Sequence, residues 1–251
     1  MIWSYSRVNA YYTCPYMFYL QYISKKEKRD NAFAQYGSLC HKVFEKYYNK
    51  KITLFDLGDC FRSMYNDFIT ESFPYRIGES YYNNGLKMMS RYSDPFYQYR
   101  INGVEEKIRF DIDGIPFCGY IDLEIEDSQG IHICDHKSLS KFKSQKEHHA
   151  YLRQLYLYSK YIIDKYGEEP KSLIFHLFRS AEIVDIPFDR KEYNKAIDWA
   201  KSIVEIAQTD QTYVDKIEIE YADGNIEEFK HDDWFCNQLC SMRNHCERAD
   251  V

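Results

Sequence analysis

The spacing of apolar residues divides the chain into a helical first part and a mixed second part. Up to about residue 92, tyrosine, phenylalanine and leucine recur at intervals that give a helix one buried face. This pattern predicts helices over about residues 6–23, 33–48, 54–73 and 77–92, and Ser6 is a suitable N-cap for the first of them. From about residue 98 the pattern shortens to the alternation that is typical of strands.

Two hairpins are predicted at the start of the second part. Residues 104–112 alternate between apolar and polar side chains, Asp113-Gly114 favours a tight turn, and residues 115–125 supply the partner strand. A turn over residues 127–130 leads into a further strand over 131–135. The remaining pattern predicts helices over 147–166 and 189–208, strands over 172–179 and 182–186, and a weak hairpin around residues 222–225.

This order of elements predicts an α/β protein with a central, mostly antiparallel mixed sheet flanked by helices. A length of 251 residues suits one large domain. Within it we expect a mainly helical region with the first cysteine (1–95), a core with the candidate chemistry (96–210) and a small cysteine-bearing cap (211–251).

Composition and charge narrow the class of protein. No run of about 18 apolar residues is present and the N-terminus lacks a secretory pattern, so we expect a cytoplasmic protein without a membrane span. A net charge of −6 does not favour nucleic-acid binding, although an acidic chain can carry a local basic groove. Lysines do cluster, at Lys137, Lys141, Lys143 and Lys146.

Two carboxylates and a lysine stand out in the second predicted hairpin. Asp122 lies on one strand, and Asp135 and Lys137 lie two apart on the next, so the latter pair projects to one face. Carboxylates bind hard cations, and a neighbouring lysine can act on a water molecule, which is the chemistry of metal-dependent phosphodiester cleavage. A D-x-K pattern is common by chance, so its meaning depends on its surroundings.

Three further side chains lie on predicted helices before and after this hairpin. His41 follows Gly37 in a G-x-x-x-H pattern, and Gln154 and Tyr158 are one turn apart. Each also has an explanation that needs no catalysis. His41 would be a packed or surface histidine, and Gln154 and Tyr158 would belong to an amphipathic helix with an aromatic stripe.

The eight cysteines fall into two groups. Cys40, Cys60, Cys118 and Cys134 have apolar or helical surroundings and are expected to pack as hydrophobic residues. Cys14, Cys236, Cys240 and Cys246 include three in a polar segment that is poorly suited to burial. Four thiolates suit either zinc or an iron–sulfur cluster, and thiolates alone do not separate the two.

Together these patterns resemble the RecB-like branch of the PD-(D/E)XK nuclease superfamily. That branch has a G-x-x-x-H helix, a G-x-(I/V)-D strand, a D-x-K strand and a Q-x-x-x-Y helix in this order. Here they correspond to Gly37 with His41, Gly119 with Asp122, Asp135 with Lys137, and Gln154 with Tyr158. The resemblance covers nearly the whole chain and implies a restriction-endonuclease-like fold.

The cysteines resemble those of the iron–sulfur members of this branch, which include the AddB-type nuclease domain and the CRISPR-adaptation exonuclease family. The segment from Ser4 through Cys14-Pro15 to Leu20 is similar to their N-terminal segment. The resemblance implies a [4Fe–4S] cluster on Cys14, Cys236, Cys240 and Cys246. The C-terminal spacing here is C-x3-C-x5-C, whereas the family usually has C-x2-C-x5-C, and zinc remains the competing metal.

The resemblance also implies roles for the site residues. Asp122, Asp135, His41 and the backbone carbonyl of His136 would hold Mg²⁺ or Mn²⁺. Lys137 would orient or deprotonate the attacking water. Gln154 would position Lys137 or the scissile strand, and Tyr158 would contact the nucleic-acid backbone.

The implied activity is that of a metal-dependent deoxyribonuclease, an exonuclease acting on single-stranded DNA or DNA ends. Expected settings are phage or mobile-element DNA processing, repair or CRISPR adaptation, in a bacterial, archaeal or phage-infected cell, with recombination, replication or adaptation proteins as partners. Two alternatives stay open: a catalytically silent DNA-binding or scaffolding relative, and an unrelated zinc-binding interaction protein.

Overall fold

The structure is a computed structural model that describes residues 1–74, 76–210 and 234–246. The hairpin predicted around residues 222–225 lies outside these residues. No helix in the described part combines the length and the hydropathy of a membrane span.

Seven α-helices lie within the described residues. They are α1 (Tyr5–Thr13), α2 (Pro15–Phe18), α3 (Ala32–Tyr48), α4 (Leu57–Phe68), α5 (Gly78–Ser90), α6 (Gln145–Tyr166) and α7 (Arg190–Thr209). Short π-helices span Tyr19–Ile23 and Phe235–Leu239, and 3₁₀ turns span Leu54–Asp56 and Arg243–His245.

The continuous helix predicted over residues 6–23 is wrong, because the chain breaks at Cys14. Ser4, not Ser6, caps α1, with its Oγ accepting a hydrogen bond from the backbone N of Arg7 at 3.2 Å. Cys14 is extended because it precedes Pro15, which disfavours the helical conformation there. Its Sγ accepts from the backbone N of Met17 at 3.4 Å and so caps α2. The helix predicted over residues 54–73 likewise shortens to a 3₁₀ turn and α4, which ends at Phe68.

One five-stranded sheet forms the centre of the molecule, in the order β1-β2-β3-β4-β5. Its strands are β1 (Arg100–Ile112), β2 (Ile115–Asp127), β3 (Gly130–Lys137), β4 (Ser172–Leu177) and β5 (Glu182–Pro187). All neighbours are antiparallel except β3 and β4, which are parallel. The predicted mixed α/β class, with a mostly antiparallel sheet, is confirmed.

Helices cover both faces of this sheet. Adjacent residues of one strand point to opposite faces, so Ile133 packs with α1, α6 and α7 whereas Cys134 packs with α3, α4 and α5. The first layer includes Trp3, Tyr11 and Leu157, and the second includes Phe44 and Phe61. The hairpin that carries Asp122, Asp135 and Lys137 therefore lies between two cores.

The cysteine cap, residues 234–246, packs against the N-terminal segments. Leu20, Cys240 and Met242 form a small apolar cluster there. The buried guanidinium of Arg243 donates to the backbone oxygen of Arg29 at 2.9 Å and to that of Cys240 at 3.1 Å. Chain ends far apart in sequence are thereby brought together.

Candidate active site

The β2–β3 hairpin brings the two aspartates side by side. Leu123 pairs with Cys134, so Asp122 and Asp135 are neighbours across the two strands. The backbone N of His136 donates to Oδ2 of Asp122 at 2.7 Å, which fixes the orientation of that carboxylate. Asp122 is 9% exposed and Asp135 5% exposed, so both carboxylates are largely removed from water.

Lys137 shares a face with Asp135, as residues two apart on a strand do. Its Nζ lies 2.7 Å from Oδ2 of Asp135 and 4.4 Å from the centre of the Tyr151 ring on α6. The ion pair and the ring hold the ammonium group in one place. The imidazole of His136 lies on the opposite face, where its Nδ1 is 3.0 Å from Nδ1 of His176. Its side chain is therefore turned away from the two aspartates.

Helix α3 places His41 over Asp122. Nδ1 of His41 is 3.4 Å from Oδ2 of Asp122 and 3.4 Å from Oε1 of Glu105 on β1. Ligand atoms of these three residues lie within 4.8 Å of one another, the spacing of a shared metal ion. Gly37 lies within α3, and a Cβ there would meet Oγ of Ser138 at 3.4 Å, an ordinary van der Waals distance. The approach of α3 to the end of β3 therefore does not require a glycine at this position.

Glu105 is the site residue that the sequence patterns did not single out. The hairpin register pairs Ile112 with Ile115, and counting seven residues along each strand brings Glu105 opposite Asp122. The Asp113-Gly114 turn can be recognised in the sequence, and the strand pairing that it sets would have placed Glu105 opposite Asp122. Glu105 also has a φ of 50°, a conformation that costs a non-glycine residue energy and often marks a functional position.

The pKa shifts at this site reflect the burial of its carboxylates and the interaction of those carboxylates with two cationic groups. Burial raises the pKa of Asp122, and burial also raises that of Asp135 to about 6 despite the nearby Lys137 ammonium. Burial lowers the pKa of His41, but Asp122 and Glu105 outweigh this and raise it to about 9. Lys137 likewise has a raised pKa, because Asp135 and Asp122 outweigh its burial.

This donor set fits a divalent cation. Two carboxylates and one imidazole, from Glu105, Asp122 and His41, supply oxygen and nitrogen ligands of the kinds that Mg²⁺ and Mn²⁺ accept, and Asp135 lies on the next strand outside this group of three. A cation bound here would neutralise the buried carboxylates, whose raised pKa values reflect incomplete compensation by the protein's own positive groups.

Gln154 and Tyr158 lie beneath β2. Nε2 of Gln154 donates to the hydroxyl of Tyr158 at 3.3 Å. Tyr158 is 6% exposed, and a Cβ added to Gly119 would lie 2.5 Å from its ring. The direct contact between Tyr158 and a nucleic-acid backbone that the resemblance implied does not suit so buried a ring. Tyr158 instead supports the strand that carries Asp122, and Gly119 provides the space for it.

The cysteine cap brings candidate ligands together from both ends of the chain. Burial raises the pKa of Cys14, and the nearby thiols of Cys240 and Cys246 raise it further, so these three groups interact. Cys236 lies on the π-helix Phe235–Leu239, one turn before Cys240. Among the described residues, no three cysteine sulfurs lie within 4.8 Å of one another. Of the other four, Cys40 and Cys134 are buried as expected, and Cys60 and Cys118 are half-buried.

Comparison with known proteins places the chain in a family. No curated protein matches it. The family model of the PD-(D/E)XK nuclease superfamily matches residues 2–247, which is nearly the whole chain and includes every residue of the site. The chain therefore belongs to the PD-(D/E)XK nuclease superfamily, whose members are hydrolytic nucleases that use divalent metals and act on DNA.

Proposed function

We propose that this protein is a Mg²⁺- or Mn²⁺-dependent deoxyribonuclease of the RecB-like branch that digests single-stranded DNA or DNA ends as an exonuclease. The observation that carries the proposal is the convergence of His41, Glu105 and Asp122 beside the Asp135–Lys137 pair. We further propose that residues 1–251 act as one nuclease domain, in the cytoplasm, during DNA repair, mobile-element processing or CRISPR adaptation.

The metal ligands in this proposal are His41, Glu105, Asp122, Asp135 and the backbone carbonyl of His136. A bound divalent cation supplies positive charge to offset the charge that develops on the phosphate during hydrolysis. The protein's own contribution is orientation, because the backbone N of His136 holds the Asp122 carboxylate in place.

Lys137 acts as a cation in this proposal. The ammonium, paired with Asp135, donates hydrogen bonds to the attacking water and to the phosphate, which is an orienting and charge-stabilising role. Asp135 and the Tyr151 ring fix the direction of its Nζ.

Gln154 and Tyr158 are positioning residues. The Tyr158 ring fills the space left by Gly119, three residues before Asp122 on the same strand. The hydrogen bond from Gln154 fixes the Tyr158 hydroxyl, so this pair supports the backbone beneath the site.

Cys14, Cys236, Cys240 and Cys246 hold a [4Fe–4S] cluster in this proposal. The proposal rests on the resemblance of the Cys14-Pro15 segment and the C-terminal cysteines to the iron–sulfur members of the RecB-like branch, and zinc is the competing metal for four thiolates. The cluster has a structural role, since it joins the break after α1 to the C-terminal segment.

Digestion of linear and circular single-stranded DNA tests the activity. Protein prepared without oxygen is incubated with each substrate and Mn²⁺ or Mg²⁺, and again with EDTA. We expect linear DNA to be degraded and circular DNA to persist, with no degradation in EDTA. Cleavage of circles would overturn the exonuclease assignment, and no cleavage of either substrate would overturn the nuclease assignment.

The visible spectrum of the same preparation tests the cluster. An iron–sulfur protein is brown, with a broad visible absorbance band and bound iron. A colourless protein with stoichiometric zinc would contradict the cluster.

A further inference from the structure

A cleft opens between the C-terminal end of α3 and the first residues of β1. Its volume is about 870 Å³. This is within the range of about 300–1,000 Å³ that is typical of specific ligand sites. Aromatic side chains from α3 and from the loop before β1 form much of its lining, namely Tyr47, Tyr48, Phe96, Tyr97 and Tyr99.

The cleft adjoins the metal site along two elements. Gly103 and Val104 line it, and Glu105 is the next residue on β1. On α3, Tyr48 follows His41 by seven residues, a rise of about 10 Å. The metal ligands His41 and Glu105 and much of the cleft lining are therefore carried by the same two elements.

The charge at the rim of the cleft is positive. Lys50 is exposed, and no carboxylate in the described part of the chain pairs with it. Arg100 has a side chain that is 76% exposed, with Glu126 at 3.6 Å. These two cations suit an anionic backbone.

The acidic residue in the lining is already engaged by its neighbours. Oδ2 of Asp94 accepts from the Tyr47 hydroxyl at 3.0 Å, and Oδ1 accepts from the Tyr48 hydroxyl at 3.0 Å and from the backbone N of Phe96 at 2.8 Å. Asp94 therefore organises the aromatic walls, with its charge shared among three donors.

Tyr48 and Phe96 are buried, so the free aromatic face in the cleft is that of Tyr97, and a free aromatic face favours unpaired bases. In a duplex each base is stacked on its neighbours, whereas an unpaired base offers a free face to an aromatic ring. Tyr97 is 74% exposed, so its ring is available for such stacking. We propose that this cleft binds the unpaired nucleotides next to the scissile phosphate, with Tyr97 stacking on a base and Lys50 contacting the backbone. The inference rests on the proposed function, because it states where the DNA strand lies relative to that site.

Equilibrium binding in EDTA tests the cleft without any cleavage. The anisotropy of a fluorescein-labelled short oligothymidylate, and of a blunt hairpin duplex, is measured with the wild type, Tyr97→Ala and Lys50→Gln. Tyr12→Ala on α1 and Lys195→Gln on α7 are matched controls, since both helices pack on the other face of the sheet. All four side chains are exposed, and the circular dichroism spectrum and melting temperature of each variant are compared with the wild type to establish that the fold is retained.

We expect Tyr97→Ala to weaken binding of the oligothymidylate about tenfold, as the loss of one stacked base would. Lys50→Gln should weaken it about threefold. It should also reduce the slope of log Kd against the logarithm of the salt concentration by about one, because one phosphate contact is lost. Neither variant should change duplex binding, and the controls should bind as the wild type does. Unchanged oligothymidylate binding in both variants, or an equal loss in the controls or on the duplex, would overturn the proposal.

The outcome is separable from that of the proposed nuclease activity. A wild type that binds the oligothymidylate through the cleft but cuts no DNA with Mn²⁺ contradicts the nuclease alone. A wild type that cuts DNA while both cleft variants bind normally contradicts the cleft alone.

Discussion

The metal site and the cysteine cap are supported by very different amounts of structure. The site residues lie on long strands and on α3, between two extensive cores, and the Asp122 carboxylate is fixed by a backbone hydrogen bond. The described part of the cap, residues 234–246, consists of one-turn π- and 3₁₀-helices over a cluster of three buried residues. The fold alone thus orders the site, whereas the cap depends on a few side-chain bonds and on the cluster proposed for its cysteines.

Asp122→Asn should give the largest effect, on activity and not on folding. The amide keeps the size of the side chain and removes a charge that is costly to bury, so stability should be unchanged or raised. Cleavage of single-stranded DNA should fall about 1,000-fold, because a metal ligand is lost. Asp59→Asn, at an exposed carboxylate on α4, is the matched control and should cut at the wild-type rate. Near-normal cleavage by Asp122→Asn would break the assignment of the site.

Cys14→Ser should have the converse effect, on stability and not on chemistry. Loss of the cluster should cost several kcal/mol, which lowers the melting temperature of a chain of this length by about 5–10 °C. Cleavage per folded molecule should stay within a few-fold of wild type. Cys60→Ser, at a half-buried cysteine outside the cap, should keep its iron. Calorimetry and iron analysis check this, and an unchanged iron content in Cys14→Ser would refute it.

Gly119→Ala tests how tightly the core supports the site. The new Cβ would lie 2.5 Å from the Tyr158 ring, so we expect a loss of about 1–3 kcal/mol of unfolding free energy. Gly37→Ala is the control: its Cβ would meet Ser138 Oγ at 3.4 Å, and alanine is the better residue within α3.

Removal of the Tyr158 ring separates this clash from other costs. Gly119→Ala should cost less in a Tyr158→Ala background than in the wild type, as a double-mutant cycle in urea measures. If the two changes were additive, the close contact between Gly119 and Tyr158 would have no energetic consequence.

Acid pH should weaken the core beneath the site. Burial lowers the pKa of His176 to about 4, so below about pH 6.5 the unfolded chain binds a proton that the folded chain excludes. The contribution of His176 to the free energy of unfolding is fully present above about pH 6.5 and is lost as the pH falls toward 4. The loss at pH 5 is about 2 kcal/mol. Asp135 has the opposite effect, because its pKa is raised to about 6 in the folded chain, so protonation of Asp135 adds to the free energy of unfolding as the pH falls.

The difference between the wild type and His176→Phe isolates the histidine from Asp135. In metal-free urea denaturation at pH 7 and pH 5, the wild type should lose about 2 kcal/mol more than the variant between the two pH values. Equal losses would mean that His176 is not held neutral by burial.

The periodicity of apolar residues and the identity of the turn residues were sufficient to predict most of the fold. The Asp113-Gly114 turn has positive φ at both residues, and it sets the β1–β2 register from local sequence alone. The break at Cys14 was missed because apolar spacing continues across it, although Pro15 was a visible signal.

Site residues that lie two apart on one strand were predictable from the sequence. Features of the site that depend on contact between different elements were missed. Asp135 and Lys137 share a face because they are two apart. Glu105 enters the site through its cross-strand position, which follows from the register that the Asp113-Gly114 turn sets, and through an unusual φ, which no spacing pattern contains. The burial of Tyr158 depends on the space at Gly119 across two elements, which a helix pattern alone does not contain.

The dependence of cleavage rate on Mn²⁺ concentration tests the central claim most directly. End-labelled single-stranded DNA is digested by the wild type and by Glu105→Gln over a range of Mn²⁺ concentrations. We predict no cleavage without metal, saturation in the wild type, and a half-saturating Mn²⁺ concentration raised about tenfold or more in Glu105→Gln, since a charged ligand is lost. Cleavage by the metal-free wild type, or superimposable curves for the two proteins, would contradict a metal site built from His41, Glu105 and Asp122.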